Sequence, residues 1–319
     1  MQVRTQMVPV TCVVSTADGT ALPGLRREDF HIFEDGVEQP ISYFDASTAP
    51  ASVALVIDAS PSVLRNSQEM KQAAGALIGA LAPLDEAAVV DFAAHTYLQV
   101  PFSDVREVVR RAVARINVQD LLSDAGGSNI YEAVYLTAEM FPGRTGRKAI
   151  LLLTDGQDSG LGLTYDPASA APRPGQPANR LTFDDVARTL AAQDIQVFAV
   201  STENRPKIMT PEWLAAHENT TLLAPFARTE GIPPYTLYLA ELVRRSGGQL
   251  YFLRETETMA DTFRKIAEKL RAEYTIGFYS GRDAAGGERA GWHSLRVEIA
   301  DQPGVKIDHR AAYYVPATQ

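Results

Sequence analysis

Three residues at alternate positions, Asp58, Ser60 and Ser62, place a carboxylate and two hydroxyls directly after the apolar run Ser52-Val53-Ala54-Leu55-Val56-Ile57. Two further segments carry donors of the same kind. Gly126-Gly127-Ser128-Asn129 precedes a helical pattern, and Leu153-Thr154-Asp155-Gly156 closes a second apolar run. Together Asp58, Ser60, Ser62, Ser128 and Asp155 offer two carboxylates and three hydroxyls, with no sulfur and no imidazole. Such hard oxygen donors suit Mg²⁺, with Mn²⁺ or Ca²⁺ as alternatives, rather than zinc. Mostly neutral donors would leave a bound ion electron-poor. A carboxylate from another molecule can then replace a water and complete the shell. The chemistry expected is binding, with the ion as the bridge.

Each residue taken singly has a structural explanation, because Asp and Ser favour turns and helix caps. Their joint placement is what an open α/β sheet requires, since its ligands bind in the crevice beyond the carboxyl ends of the strands. The runs 52–57 and 148–153 read as strands buried on both faces of a parallel sheet. Between and after them, apolar residues recur at helical spacing, as in Met70, Ala73, Ala74, Leu77 and Ile78, or Met259, Phe263, Ile266 and Leu270. Thr182 with Asp184 and Asp185 predicts a capped helix over 183–193. Residues 195–200 and 249–253 predict further strands, and 235–246 a helix stopped by Gly247-Gly248. Gly160–Asn179 and 202–233 read as irregular insertions, the second with a short helix near Pro211–His217.

Both ends of the chain read as β. Residues 2–16 alternate, and 30–33 and 40–44 flank a Glu34-Asp35-Gly36 hairpin signal. After Glu273 the runs 274–279, 294–299, 305–309 and 312–315 follow. Neither end has enough strands to bury a core alone. The fold class expected is therefore α/β, a doubly wound, mostly parallel, Rossmann-like sheet over 49–272. It is inserted into a β-sandwich built from 1–48 and 273–319.

The chain has 319 residues, 45% hydrophobic, with a formal net charge of −9. That balance excludes nucleic acid as the main partner, since such partners need a basic face. No apolar stretch reaches the roughly 18–20 residues of a membrane span, so no membrane insertion is expected. Met1–Arg4 lacks the apolar core of a signal peptide, so the chain reads as cytoplasmic, mature or trimmed. The single cysteine, Cys12, lies in an alternating run and reads as a small core hydrophobe.

Two other functions compete. A metal-dependent hydrolase or phosphoryl-transfer enzyme would also put an aspartate after the first strand, but such enzymes follow it with a second acid, and here Ala59-Ser60 stands instead. No phosphate-cradling glycine loop follows a strand. The five histidines are scattered, so none is nominated as a base for Ser60. A structural scaffold with an idle metal site is the third reading. Asp158 reads as a solvated loop acid, and Asp91 as a turn residue or a supporting group behind the site.

Asp-x-Ser-x-Ser after an apolar strand, a Gly-Gly-hydroxyl turn, and Leu-Thr-Asp-Gly after a later strand resemble the metal-ion-dependent adhesion site (MIDAS) of a von Willebrand factor A (VWA) domain. Leu25-x-x-x-Asp29-Phe30, Glu34-Asp35-Gly36, Gly146-Arg147-Lys148-Ala149-Ile150, Leu270-Arg271-x-x-Tyr274 and Gly277-Phe278-Tyr279 extend the likeness over nearly the whole chain. The chain is similar to the VWFA-related proteins described as acidobacterial-type. The resemblance implies direct metal contacts from Ser60, Ser62 and Ser128, with Asp58 and Asp155 acting directly or through water. It implies no catalysis and a protein ligand that offers a carboxylate. It also implies an extracytoplasmic or secreted location and a role in cell adhesion. At the Gly-Gly turn the family commonly has Thr, and Ser128 keeps the hydroxyl without the restraining methyl. The insertions 160–180 and 202–233 follow strands at the carboxyl edge and are expected to form the rim that reads the partner.

Overall fold

A computed structural model describes residues 7–16, 21–46, 49–117, 127–159, 163–165, 172–174, 181–203, 205–210, 213, 231–252, 258–271, 273–280, 290–300 and 304–315. The amino-terminal region supplies four strands: β1 (Met7–Ser15), β2 (Phe30–Glu34), β3 (Val37–Gln39) and β4 (Tyr43–Asp45). The β2–β3 turn is Asp35-Gly36, with φ of 48° and 82°. Two successive positive φ angles match the right-handed twist of a two-residue hairpin. The hairpin partner of β2 is therefore Val37–Gln39 rather than the apolar run 40–44. That run instead ends in β4 and pairs in another sheet.

The middle of the chain alternates strands and helices. In order these are β5 (Ala51–Asp58), a 3₁₀ turn (Pro61–Asn66), α1 (Ser67–Ala80), β6 (Glu86–Phe92), β7 (Thr96–Ser103), α2 (Arg106–Arg115) and α3 (Ile130–Ala138). There follow β8 (Arg147–Thr154), the short pair β9 (Leu163–Tyr165) and β10 (Pro172–Pro174), α4 (Phe183–Gln193) and β11 (Gln196–Ser201). Then come α5 (Pro234–Ser246), β12 (Leu250–Phe252) and α6 (Met259–Arg271). The sheet order is β12-β11-β8-β5-β6-β7, parallel throughout except for the antiparallel edge strand β7.

Every residue of β5 is buried. Strand alternation sends Val53, Leu55 and Ile57 into a core with Met70 and Leu77 of α1 and Phe263 of α6. Ala54 and Val56 face the opposite core, with Tyr131 of α3, Leu190 of α4 and Leu242 of α5. Two helical layers thus explain why this strand shows no polar alternation. Each fully buried aliphatic side chain contributes about 1.5–3 kcal/mol. Thr182 and Asp185 form the reciprocal cap expected at α4. The insertion 160–180, expected to be an irregular loop, contains the antiparallel β9–β10 pair. The helix expected near Pro211–His217 lies, Trp213 apart, outside the described residues.

The carboxy-terminal region adds β13 (Glu273–Tyr279), β14 (Gly291–Ile299), β15 (Lys306–His309) and β16 (Ala312–Val315). Strands from both ends interleave in two antiparallel sheets, β15-β1-β13-β4 and β16-β14-β2-β3. Val10, Cys12, Ile32, Phe278, Val297 and Tyr313 share the core between them. Burial pushes the Cys12 thiol up, as befits an inert core residue.

These sheets meet the amino edge of the parallel sheet. Arg147 Nε donates to Ala49 O at 3.0 Å, Thr11 Oγ1 donates to Asp194 Oδ2 at 2.7 Å, and Arg310 Nη1 donates to Ala191 O at 2.7 Å. Gly247, at φ 80°, sits where a Cβ would come within 2.4 Å of Arg310 N, so the approach is one only glycine allows.

Candidate functional site

β5 and β8 are neighbours in register, Ile57 opposite Leu153, so Asp58 and Thr154 leave the sheet side by side. The Asp58 carboxylate is 1% exposed and held from two sides. Ser60 N donates to its Oδ1 at 2.9 Å, and Thr154 Oγ1 donates to its Oδ2 at 2.7 Å. Ser128 Oγ reaches the same Oδ2 at 3.5 Å, across seventy residues of sequence. Ser60 Oγ and Ser62 Oγ lie 3.0 Å apart. Ser60, Ser128 and Asp155 are buried, and Ser62 is exposed at the mouth. Burial pushes Asp58 up to about 6, further raised by the charge of Asp155, while the Ser60 and Thr154 donors oppose that rise.

The segment after β8 positions the rest. Asp155 Oδ1 accepts from Gln157 N at 2.9 Å, closing a local turn. Gly156 has φ 90°, and a Cβ there would stand 3.3 Å from Tyr235 at the start of α5. Asp158 Oδ1 accepts the first N–H of α3, Ile130 N, at 2.7 Å, and Ser159 N donates to Ser128 O at 2.7 Å. The loop 155–159 thus ties the Ser128 segment to the end of β8. Asp158 is a helix cap rather than a solvated acid. Asp91 belongs to the β6–β7 hairpin, where it accepts from Gln99 Nε2 at 2.7 Å, and burial raises it.

All five expected donors therefore lie on three segments at one edge, and contacts link Asp58 with Ser60 and Ser128, Ser60 with Ser62, and the charges of Asp58 and Asp155. Gly126 lies outside the described residues. Thr154 is the residue the sequence did not single out. A threonine at the end of an apolar run has no mark that separates it from strand filler. Among the described residues no three His, Cys, Asp or Glu side chains gather as a metal cluster. No described helix is long and apolar enough to cross a membrane.

Residues 53–157 match the family model described as von Willebrand factor type A domain. This span of the chain matches a VWA domain. The matched span runs from β5 to Gln157 and so takes in Asp58, Ser60, Ser62, Ser128 and Asp155. No curated protein matches the chain. Among solved structures, the conserved hypothetical protein BatB from Bacteroides thetaiotaomicron is 16% identical, with 69% of this chain and 98% of that one covered and a TM-score of 0.47. A von Willebrand factor type A structure from Catenulispora acidiphila is 14% identical over 99% of this chain and 76% of that one, at a TM-score of 0.47. Proximal thread matrix protein 1 from the mussel byssus, with a zinc-occupied MIDAS motif, is 16% identical over 75% and 50%, at 0.48. These likenesses are distant.

Proposed function

We propose that the protein is a metal-dependent protein-binding module, in which Asp58, Ser60, Ser62, Ser128 and Asp155 hold a divalent cation whose shell an acidic residue of a partner completes. The observation that carries the reading is the convergence of two buried carboxylates and three hydroxyls from three segments on one edge of the sheet. The donor set fits the ion: it is all oxygen, largely neutral, and Ser62 opens it to solvent. The native metal is Mg²⁺ in this reading, with Mn²⁺ or Ca²⁺ as alternatives. When bound, the ion supplies Lewis acidity toward an incoming carboxylate. The chain's own part is to orient the oxygens. Asp58 accepts from Ser60 N and Thr154, and Gln157 N fixes Asp155. No general acid or base is required, and the site is read as binding without turnover. The same reading treats 49–272 as one unit inserted between 1–48 and 273–319, and places the protein outside the cytoplasm on family resemblance.

Calorimetry and thermal shift with Mg²⁺, Mn²⁺ and Ca²⁺ test it on wild type and Asp58→Ala. Wild type is expected to gain about 2–3 kcal/mol of stability at a hundredfold excess over the dissociation constant, and Asp58→Ala to gain none. An equal response in both proteins sinks the site.

A further inference from the structure

The 3₁₀ turn that follows β5 carries Ser62 and, three residues later, Arg65. Residues three apart eclipse one another in a 3₁₀ helix, and three residues rise about 6 Å. Arg65 therefore stands on the same face of the turn as Ser62, one step further out. That face is the one turned to the site, since Ser62 Oγ lies 3.0 Å from Ser60 Oγ. Val63, between them, is fully buried and pins the turn, while Ser62 and Arg65 are both exposed.

In a chain with 39 acidic and 30 basic residues, many arginines have acidic partners, although the exposed Arg27, Arg110 and Arg115 have none among the described residues. Arg111 pairs with Glu107, Arg144 with Glu86, Arg245 with Glu241 and Arg310 with Asp194. Arg65 has no ion pair or hydrogen bond among the described residues. A guanidinium beside a cation site weakens that site by repulsion. An anion shared between the two removes the conflict.

We propose that Arg65 takes a second carboxylate of the same partner, so that this edge reads an acidic segment with one carboxylate for the ion and one for the guanidinium. The proposal rests on the metal-site reading above. In an extended segment, side chains two residues apart share a face and lie about 6.6 Å from each other. That spacing matches the offset between Ser62 and Arg65. An Asp-x-Asp or Asp-x-Glu stretch in extended form is the occupant.

The test is an NMR titration of the whole chain in Mg²⁺ with two capped peptides, Gly-Asp-Gly-Asp-Gly and Gly-Asp-Gly-Lys-Gly. Wild type is expected to prefer the first about fivefold, the scale of one exposed ion pair, and to lose the preference in high salt. Arg65→Glu is expected to reverse the preference and to bind Mg²⁺ more tightly, because a neighbouring positive charge has gone. A merely structural role for Arg65 would weaken the ion and both peptides together. That result, an unchanged preference, or Mg²⁺ binding with neither peptide bound overturns the proposal. A Mg²⁺ response that survives Asp58→Ala overturns instead the reading on which it rests.

Discussion

The two edges of the parallel sheet each bury a carboxylate and treat it in opposite ways. At the carboxyl edge Asp58 is raised to about 6 by burial, yet a backbone N–H and a threonine hydroxyl both donate to it. At the amino edge Glu273, 6% exposed, is raised to about 8, with burial the largest cause, Arg147 opposing and Asp194 adding. Its Oε1 has no hydrogen-bond partner among the described residues. Donors aimed at a carboxylate favour its charge, and their absence favours the neutral acid. Asp58 is prepared to hold negative charge, and Glu273 is enclosed most stably with its proton.

Glu273→Gln breaks the comparison most strongly. The ordinary value for this carboxyl is 4.5, and the folded value lies near 8. The folded state therefore holds a proton that the unfolded chain has released. The stability linked to that proton is full below pH 4.5 and is lost as pH rises through 8. The wild type is expected to lose on the order of 4 kcal/mol across that window, and the glutamine variant to lose almost none of it. Urea unfolding at pH 5 and pH 9 reads the difference. Parallel pH profiles for the two proteins would remove Glu273 from the account.

Thr154→Val makes the carboxyl edge more like the amino edge, because it removes a donor from Asp58 while keeping the shape of the side chain. Metal affinity is expected to fall about 10–100-fold, the usual effect of losing a partner behind a metal ligand. Thr154→Ser should restore most of it. Calorimetry separates the three proteins, and equal affinities would show that the 2.7 Å bond does not prepare Asp58.

Ser128→Thr sharpens the comparison by a smaller step. A β-branched hydroxyl has fewer rotamers to lose, so the ion should bind about two- to threefold more tightly. The same titration would show weaker binding if the added methyl does not fit beside Asp58.

Much of the architecture was legible because burial on two faces leaves a plain mark. β5 and β8 each contain a continuous apolar run, and an acid follows, Asp58 at the end of β5 and Asp155 just after Thr154 of β8. The interleaving of the two ends was legible from arithmetic, since neither end could close a core alone. Pairing was harder to see. Tyr43–Asp45 leaves the hairpin of β2 to join Glu273–Tyr279, a choice made by residues some 230 positions away. Supporting contacts were the least visible. Thr154 looks like strand filler and Asp158 like loop polarity until the fold brings Asp58 and Ile130 to them. Glu273 reads as a charged boundary residue, and only packing reveals that it is enclosed.

Arg147 draws together the points where the chain passes between the sheets, bonding to Ala49 O and lying close enough to Glu273 to pull on its charge. β5 runs from that junction to Asp58, flanked on both sides by parallel strands. A tensile load applied at Asp58 and resisted by the antiparallel sheets would run lengthwise along β5. Its hydrogen bonds to β6 and β8 would then be loaded in shear, all at once, rather than peeled one by one. Such a geometry resists rupture.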